Sequence, residues 1–263
     1  MSRSGREECS VTAVVRKRQA TKKSPEYVFP EGLNAFWLQL RQSSLKCNQY
    51  SRSSFLGSLR NHFSQCMYYL VKAQSMKQLT EEFFKRDTVK TARELLGNII
   101  NYGGTSGMIV ETEAYKGYPD EASHAAKKTP RSAIMFDTYG SFYIYFVYGN
   151  HYCLNITTED GNPGAVLIRA LKPVCGMELM AKRRGIRLEN GKNLINLSNG
   201  PGKLCQAMNI TGALNGSRVG GKIKVFDCDK KFCIVETTRI GIKKATRLKW
   251  RFYIKDNIFV SKK

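Results

Sequence analysis

Apolar and polar positions alternate between residues 107 and 116. The stretch GMIVETEAYK reads as a β-strand, in which residues two apart share a face. Ile109, Glu111, Glu113 and Tyr115 then point one way, and Met108, Val110, Thr112 and Ala114 the other. The second set suits a core. The first puts two carboxylates beside an aromatic ring, which burial alone does not explain. Gly117, Pro119 and Asp120 turn the chain. His124 follows at a distance that can fold back over the Tyr115 ring. A carboxylate, a tyrosine and a histidine from one short segment make a candidate reaction site. A solvated edge strand with ordinary surface charges accounts for the same residues.

The neighbouring pattern predicts a mixed fold. Asp87 or Thr88 can N-cap a helix whose Val89, Ala92, Leu95 and Leu96 share a face, with Gly97 to close it. A strand near 98–102 precedes 107–115, with a short spacer between them. The linker TPRSAIMFDTYG leads to SFYIYFVY (141–148). Phe142, Ile144 and Phe146 lie on one face of that strand; Tyr143, Tyr145 and Val147 lie on the other. Gly149-Asn150 is a two-residue hairpin signal, and HYCLNIT (151–157) is the returning strand, so Tyr148 sits beside the hairpin tip. After Asp160-Gly161-Asn162, GAVLIRAL (164–171) is apolar enough for burial on both faces. Arg169 in its middle needs an anion, either a carboxylate in a structural pair or a phosphate.

A helix is expected over 174–184, with Lys182, Arg183 and Arg184 in its last turn and Gly185 as its stop. In SNGPGKLCQAMNI (198–210), Asn199 or Gly200 caps a helix with Pro201 at its first position. The open N–H groups near Gly202, with Lys203, are candidates for binding phosphate, although an ordinary capped helix fits equally and the Walker spacing is missing. Residues 222–261 read as short strands, KIKVFDC, FCIVETTRIGI, WRFYI and IFVSK, with nothing catalytic by residue type.

Charge changes the picture. Among 263 residues the formal net charge is +22. That excess suits a partner with dense negative charge, either nucleic acid or an anionic membrane surface. With no apolar run near the ~18 residues of a span and no secretory leader, nucleic acid leads and no membrane role is expected. Residues 1–79 carry 13 Lys/Arg against 4 Glu and no sustained apolar period, so they read as a basic extension to a folded domain at 80–263. The run VVRKRQATKK (14–23) suits a nuclear-localisation signal, a phosphate-binding tail or simply a soluble disordered arm. An organellar presequence is the alternative address, with Glu7 and Glu8 against it. LNAFWLQL (33–40) and CMYYLV (66–71) read as short helices. Eight cysteines lack any Cys-x-x-Cys pair, and there are three histidines, so reduced, mostly buried thiols and no metal site are expected.

Taken in order, IVETEAY, DEASH, YIYFVYG, YCLNI, VLIRAL, GPGKLCQAM, RIGI and RFY resemble the alkyladenine (3-methyladenine) DNA glycosylase family, over about residues 80–263. Each motif is weak alone; the ordered set is specific. The resemblance implies a single mixed α/β (α+β) domain: a curved, mostly antiparallel sheet, surrounding helices and a protruding β-hairpin. It implies a monofunctional glycosylase of base-excision repair, acting as a monomer on duplex DNA that contains alkylated or deaminated purines, and needing no cofactor. Glu113 would be the general base and Arg169 would sit near the attacking water and a backbone phosphate. Tyr115 on one side, with His124 and Tyr145 on the other, would sandwich the base, while the backbone N–H of His124 reads its edge. Tyr148 would wedge into the minor groove. Asn155 would crowd a 2-amino group, with Cys153 and Ile240 lining the pocket. The nucleus is the expected compartment, with the mitochondrion possible. Asn150 departs from the family, which often carries an apolar second wedge there.

Overall fold

The computed structural model describes residues 76–189, 193–228 and 231–262. The basic run at 14–23 and the helices expected at 33–40 and 66–71 lie outside these residues. Gln78 bridges Phe226, and the Leu79 N–H donates to Val225 O at 2.8 Å with its side chain buried. The folded body therefore takes in residues just before the boundary drawn at 80.

Helix α1 (Glu81–Phe84) buries Phe84, and α2 (Thr88–Glu94) begins at Asp87, whose carboxylate accepts the Lys90 N–H. Gly97, at φ +91°, then releases the chain into β1 (Ile99–Tyr102). Further on come β2 (Thr105–Lys116), α3 (Ala133–Asp137), β3 (Phe142–Val147), β4 (His151–Thr158) and β5 (Gly164–Cys175). Next are α4 (Met177–Arg184), α5 (Pro201–Met208), β6 (Lys224–Phe226), β7 (Ile234–Thr237) and β8 (Arg251–Ile254). The strands form one antiparallel sheet in the order β3-β4-β5-β2-β1-β6, with β8 joined to β2 and β7 to β8.

Strand β2 is the axis of this sheet. It pairs with β5 from Ser106 to Lys116. On its other side it pairs with β1 up to Met108 and with β8 from Glu111 to Glu113. The edge-strand reading is thus excluded, since both neighbours are filled where the carboxylates sit. Two register shifts bracket the Glu111–Ala170 pair. One leaves Val110 as the extra residue of β2, the other Arg169 as the extra residue of β5. Bulges bend a strand and re-aim side chains. They also explain why strict alternation fails at Ile109, which belongs to the same apolar core as Met108 and Val110 rather than to the face of the glutamates.

Other expectations shift by a few residues. The linker 129–140 contains α3, whose Met135 is buried. The helix expected from 174 starts at Met177, because Val174 and Cys175 still pair or pack as the end of β5. Residues 258–262 form no strand. Cys153, Cys205 and Cys228 are buried free thiols, but Cys175 is disulfide-bonded, against the expectation of reduced cysteines.

The hairpin turn is also displaced. Tyr148 and Gly149, not Gly149 and Asn150, hold the left-handed positions, at φ 51° and 68°. The Asn150 N–H closes the turn on Val147 O at 3.3 Å. An aromatic residue rarely adopts this region, and doing so costs on the order of 1 kcal/mol or more.

Gly176 joins β5 to α4 at φ +74°, and a Cβ there would lie 2.4 Å from Gly104 O. Gly176→Ala is expected to lower unfolding free energy by roughly 1–3 kcal/mol, through both the backbone and the collision; urea denaturation measures this.

Candidate active site

The bulged β2–β5 pair builds the floor of the site. Glu113 has 0% exposure, and three donors hold its carboxylate. Oε2 accepts from Tyr115 Oη at 2.8 Å and from Arg169 Nη1 at 3.1 Å; Oε1 accepts from the Ile240 N–H at 2.7 Å. A carboxylate offers about four acceptor positions, so one is left for a water or a substrate hydroxyl. Arg169 resolves the choice left by its sequence context: its anions are carboxylates, Glu113 and, through Nε at 3.3 Å, Glu111. Burial opposes the charged guanidinium, but the two glutamates outweigh it and raise its pKa. Burial, then the Glu113 charge, push the Tyr115 phenol far up, so it remains a donor to that carboxylate.

Above this floor lies a cavity of about 390 Å³. Tyr115, Arg169 and Ile240, whose groups grip Glu113, contribute to its wall. Strands β3 and β4 supply Tyr145, Cys153 and Asn155, and the 3₁₀ turn His124–Ala126 supplies His124. Tyr148 and His151 reach the cavity from the hairpin, and Pro201 from the start of α5. His124 and Tyr145 meet with ring centroids 4.8 Å apart, and His124 Nδ1 lies 2.9 Å from Tyr143 Oη. Asn155 is fixed by donating Nδ2–H to Tyr143 O at 2.9 Å. Burial pushes the Cys153 thiol and the Tyr145 phenol up, so both stay neutral. Gly202 lets α5 approach the hairpin, since a Cβ there would sit 2.6 Å from the His151 ring. Lys203 Nζ donates to Asn199 Oδ1 at 2.8 Å beside the cavity-lining Pro201.

The profile of the family described as methylpurine-DNA glycosylase matches residues 82–258. The chain belongs to the methylpurine-DNA glycosylase family. It is a DNA glycosylase, a hydrolase of N-glycosyl bonds. A protein of Desulfitobacterium hafniense (strain Y51) is 44% identical over 203 residues, which are 72% of this chain and all of the relative. One of Prosthecochloris aestuarii is 46% identical over 197 residues, 71% of this chain and 92% of its own length. Both carry the name "Putative 3-methyladenine DNA glycosylase". No helix among the described residues of this glycosylase is long and apolar enough to cross a membrane.

Sequence reasoning missed several groups that build the candidate site. Arg239, in a region judged free of catalytic residue types, is buried and bonds Asp120 at 2.6 Å through both terminal nitrogens. It also donates to Ala114 O and lies 4.6 Å from the Tyr115 ring centroid. Arg239 thereby fixes the ring and carries the next residue's N–H to Glu113. Asp120 looked like a turn residue, and it is one, but its carboxylate is the counter-ion. Arg131, inside the expected linker, lies 4.8 Å from the Tyr145 ring centroid and also lines the cavity. An arginine following a proline in a polar stretch carries no signal that distinguishes it from surface charge.

Two outcomes follow for this glycosylase. Asp120→Asn leaves the buried Arg239 without its charge partner and is expected to destabilise the fold by about 3–5 kcal/mol, read by chemical denaturation. For His124, burial and then the Arg131 charge lower the imidazole pKa below 6.5. The unfolded chain takes up that proton at higher pH than the folded one, so stability is lost as pH falls from 6.5 through the lower folded value. His124→Gln is expected to remove that part of the pH dependence of the melting temperature.

Proposed function

We propose that this glycosylase rotates alkylated or deaminated purines, of the 3-methyladenine, 7-methylguanine, hypoxanthine and ethenoadenine class, out of duplex DNA. It then hydrolyses the N-glycosidic bond and leaves an abasic site. The observation that carries the proposal is Glu113, gripped from three sides beneath a cavity walled by aromatic rings and opening beside Tyr148.

A base inside a duplex is out of reach, and extruding it costs a few kcal/mol of stacking. Tyr148 is 82% exposed at the apex of the β3–β4 turn, where a ring can enter the gap and offset that loss. The excess of positive charge supplies non-specific attraction to the phosphates. In this reading the rotated purine enters between Tyr115 and the pair His124–Tyr145. The three rings are neutral near pH 7, so they stack on many purines and attract a cationic alkylated base by its interaction with their π faces. The backbone N–H of His124 reads the base edge, and the fixed Asn155 amide crowds a 2-amino group, with Cys153 and Ile240 closing the pocket. Gly202 and Lys203 take a flanking phosphate.

As the C–N bond lengthens, positive charge grows on the deoxyribose. Glu113 stabilises that charge and orients a water at its remaining acceptor position onto the opposite face of the sugar, as the base carboxylate of an inverting glycosidase does. The proton of the water passes to Glu113, and the bonding electrons leave with the purine. An alkylated, already cationic purine departs readily, whereas hypoxanthine needs a proton as it leaves. Arg169 and Tyr115 hold Glu113 ready without taking part in bond making.

Glu113→Gln is expected to abolish release of hypoxanthine from a synthetic duplex, scored by alkaline cleavage at abasic sites; equal release from both proteins would remove Glu113 from its role. Tyr148→Ser is expected to weaken affinity for a lesion duplex by roughly ten-fold or more, from the lost stacking, measured by fluorescence anisotropy. Unchanged affinity would exclude the wedge.

A further inference from the structure

The second carboxylate of β2, Glu111, has no part in the chemistry above, yet it is the more heavily bonded of the two. Its side chain is fully buried. Oε1 lies 3.3 Å from Arg169 Nε, 2.7 Å from Arg251 Nε and 3.0 Å from Ser261 Oγ. Oε2 accepts the Ser261 N–H at 2.7 Å. Arg251 in turn donates through Nη2 to Lys262 O. Segment 258–262, expected to be a strand, is instead an irregular stretch whose residues 261 and 262 bond onto the back of the site.

A buried carboxylate with this many partners is a poor device for stability alone, since well-packed apolar groups of similar volume usually do as well or better. What distinguishes Glu111 is the geometry of the guanidinium that it shares. Arg169 is a rigid planar fork, so fixing its Nε fixes the direction of its terminal nitrogens. Glu111 holds Nε; Nη1 then meets Glu113 Oε2 at 3.1 Å. The paired bulges at Val110 and Arg169 put this fork between two glutamates two residues apart. Without a second anion, one guanidinium facing a single carboxylate is free to swing between its two oxygens.

We infer that Glu111 is a positioning residue for base release, and that Ser261 completes it. Ser261 holds Glu111, Glu111 sets the plane of Arg169, and Arg169 aims the Glu113 carboxylate at the sugar. The inference rests on the reading of Glu113 as the base. It extends the catalytic apparatus to residue 261, outside the part of the chain that the family profile matches.

The test uses the full chain, with single-turnover release of hypoxanthine from a duplex. Affinity for a duplex bearing a tetrahydrofuran abasic-site analogue and the melting temperature are measured in parallel. Hydrogen bonds to charged groups justify an expected loss of about ten-fold or more in the release rate of Glu111→Gln, with duplex affinity within about two-fold of wild type. Ser261→Ala removes only the hydroxyl, so a loss of about three-fold or more is expected, and Ser261→Thr restores the rate because it keeps both donors. A wild-type release rate in Ser261→Ala overturns the proposal even if Glu111→Gln fails to fold. So does a loss of rate in Ser261→Ala that is matched by an equal loss of affinity, or one that Ser261→Thr does not restore. Absence of release by wild type, or equal release by Glu113→Gln, instead removes the reading of Glu113 and this proposal with it. Full loss in Glu113→Gln with normal rates in folded Glu111→Gln and Ser261→Ala overturns the positioning role alone.

Discussion

Arg169 lies between two buried carboxylates, Glu111 and Glu113, at the centre of the sheet. Taking these charges out of water is tolerable only because each is matched. The guanidinium bridges both glutamates, Arg251 and Ser261 attend to one, and Tyr115 with the Ile240 N–H attend to the other. Apart from Tyr115, which lies on β2 itself, these partners come from other parts of the chain, so the requirement to satisfy the two carboxylates ties β5, β8, the 239–240 segment and residues 261–262 to β2. The bulges that break the β2–β5 register are the local consequence. By bending the pair they re-aim the side chains of β2 and β5 around these three charged groups.

The second layer of organisation is a set of rings made rigid by arginines. Arg239 stacks on Tyr115 and is pinned by Asp120; Arg131 stacks on Tyr145 and helps keep His124 neutral. The cavity wall is therefore divided between neutral aromatic faces and the guanidinium groups of Arg131 and Arg169. This division suits a pocket that holds a flat heterocycle by stacking, while the surrounding positive charge meets the phosphates of the strand that carries it.

The β3–β4 turn shows how local strain and exposure coincide. Tyr148 takes a left-handed conformation that its side chain disfavours and presents its ring to solvent. Gly149 needs no such tolerance, and Asn150 supplies the N–H that closes the turn. Its side chain is polar, which leaves Tyr148 as the large ring of this tip.

How much of this was legible beforehand follows from the range of the interactions. Alternation marked β2, β3 and β5 because side-chain period is a property of consecutive residues, and Asp87, Gly97, Pro201 and Gly185 marked helix ends because capping is local too. The ordered motifs pointed to the family for the same reason, being short runs read in place. The chain could not show by itself that Glu111 and Glu113 lie in the interior, that Arg169 is the extra residue of a bulge, or that Asp120 is the counter-ion of a residue 119 positions later. Those facts depend on which strands become neighbours. A buried charge is matched by whatever partner the fold brings to it, and sequence separation says nothing about that; only the packed sheet decided it.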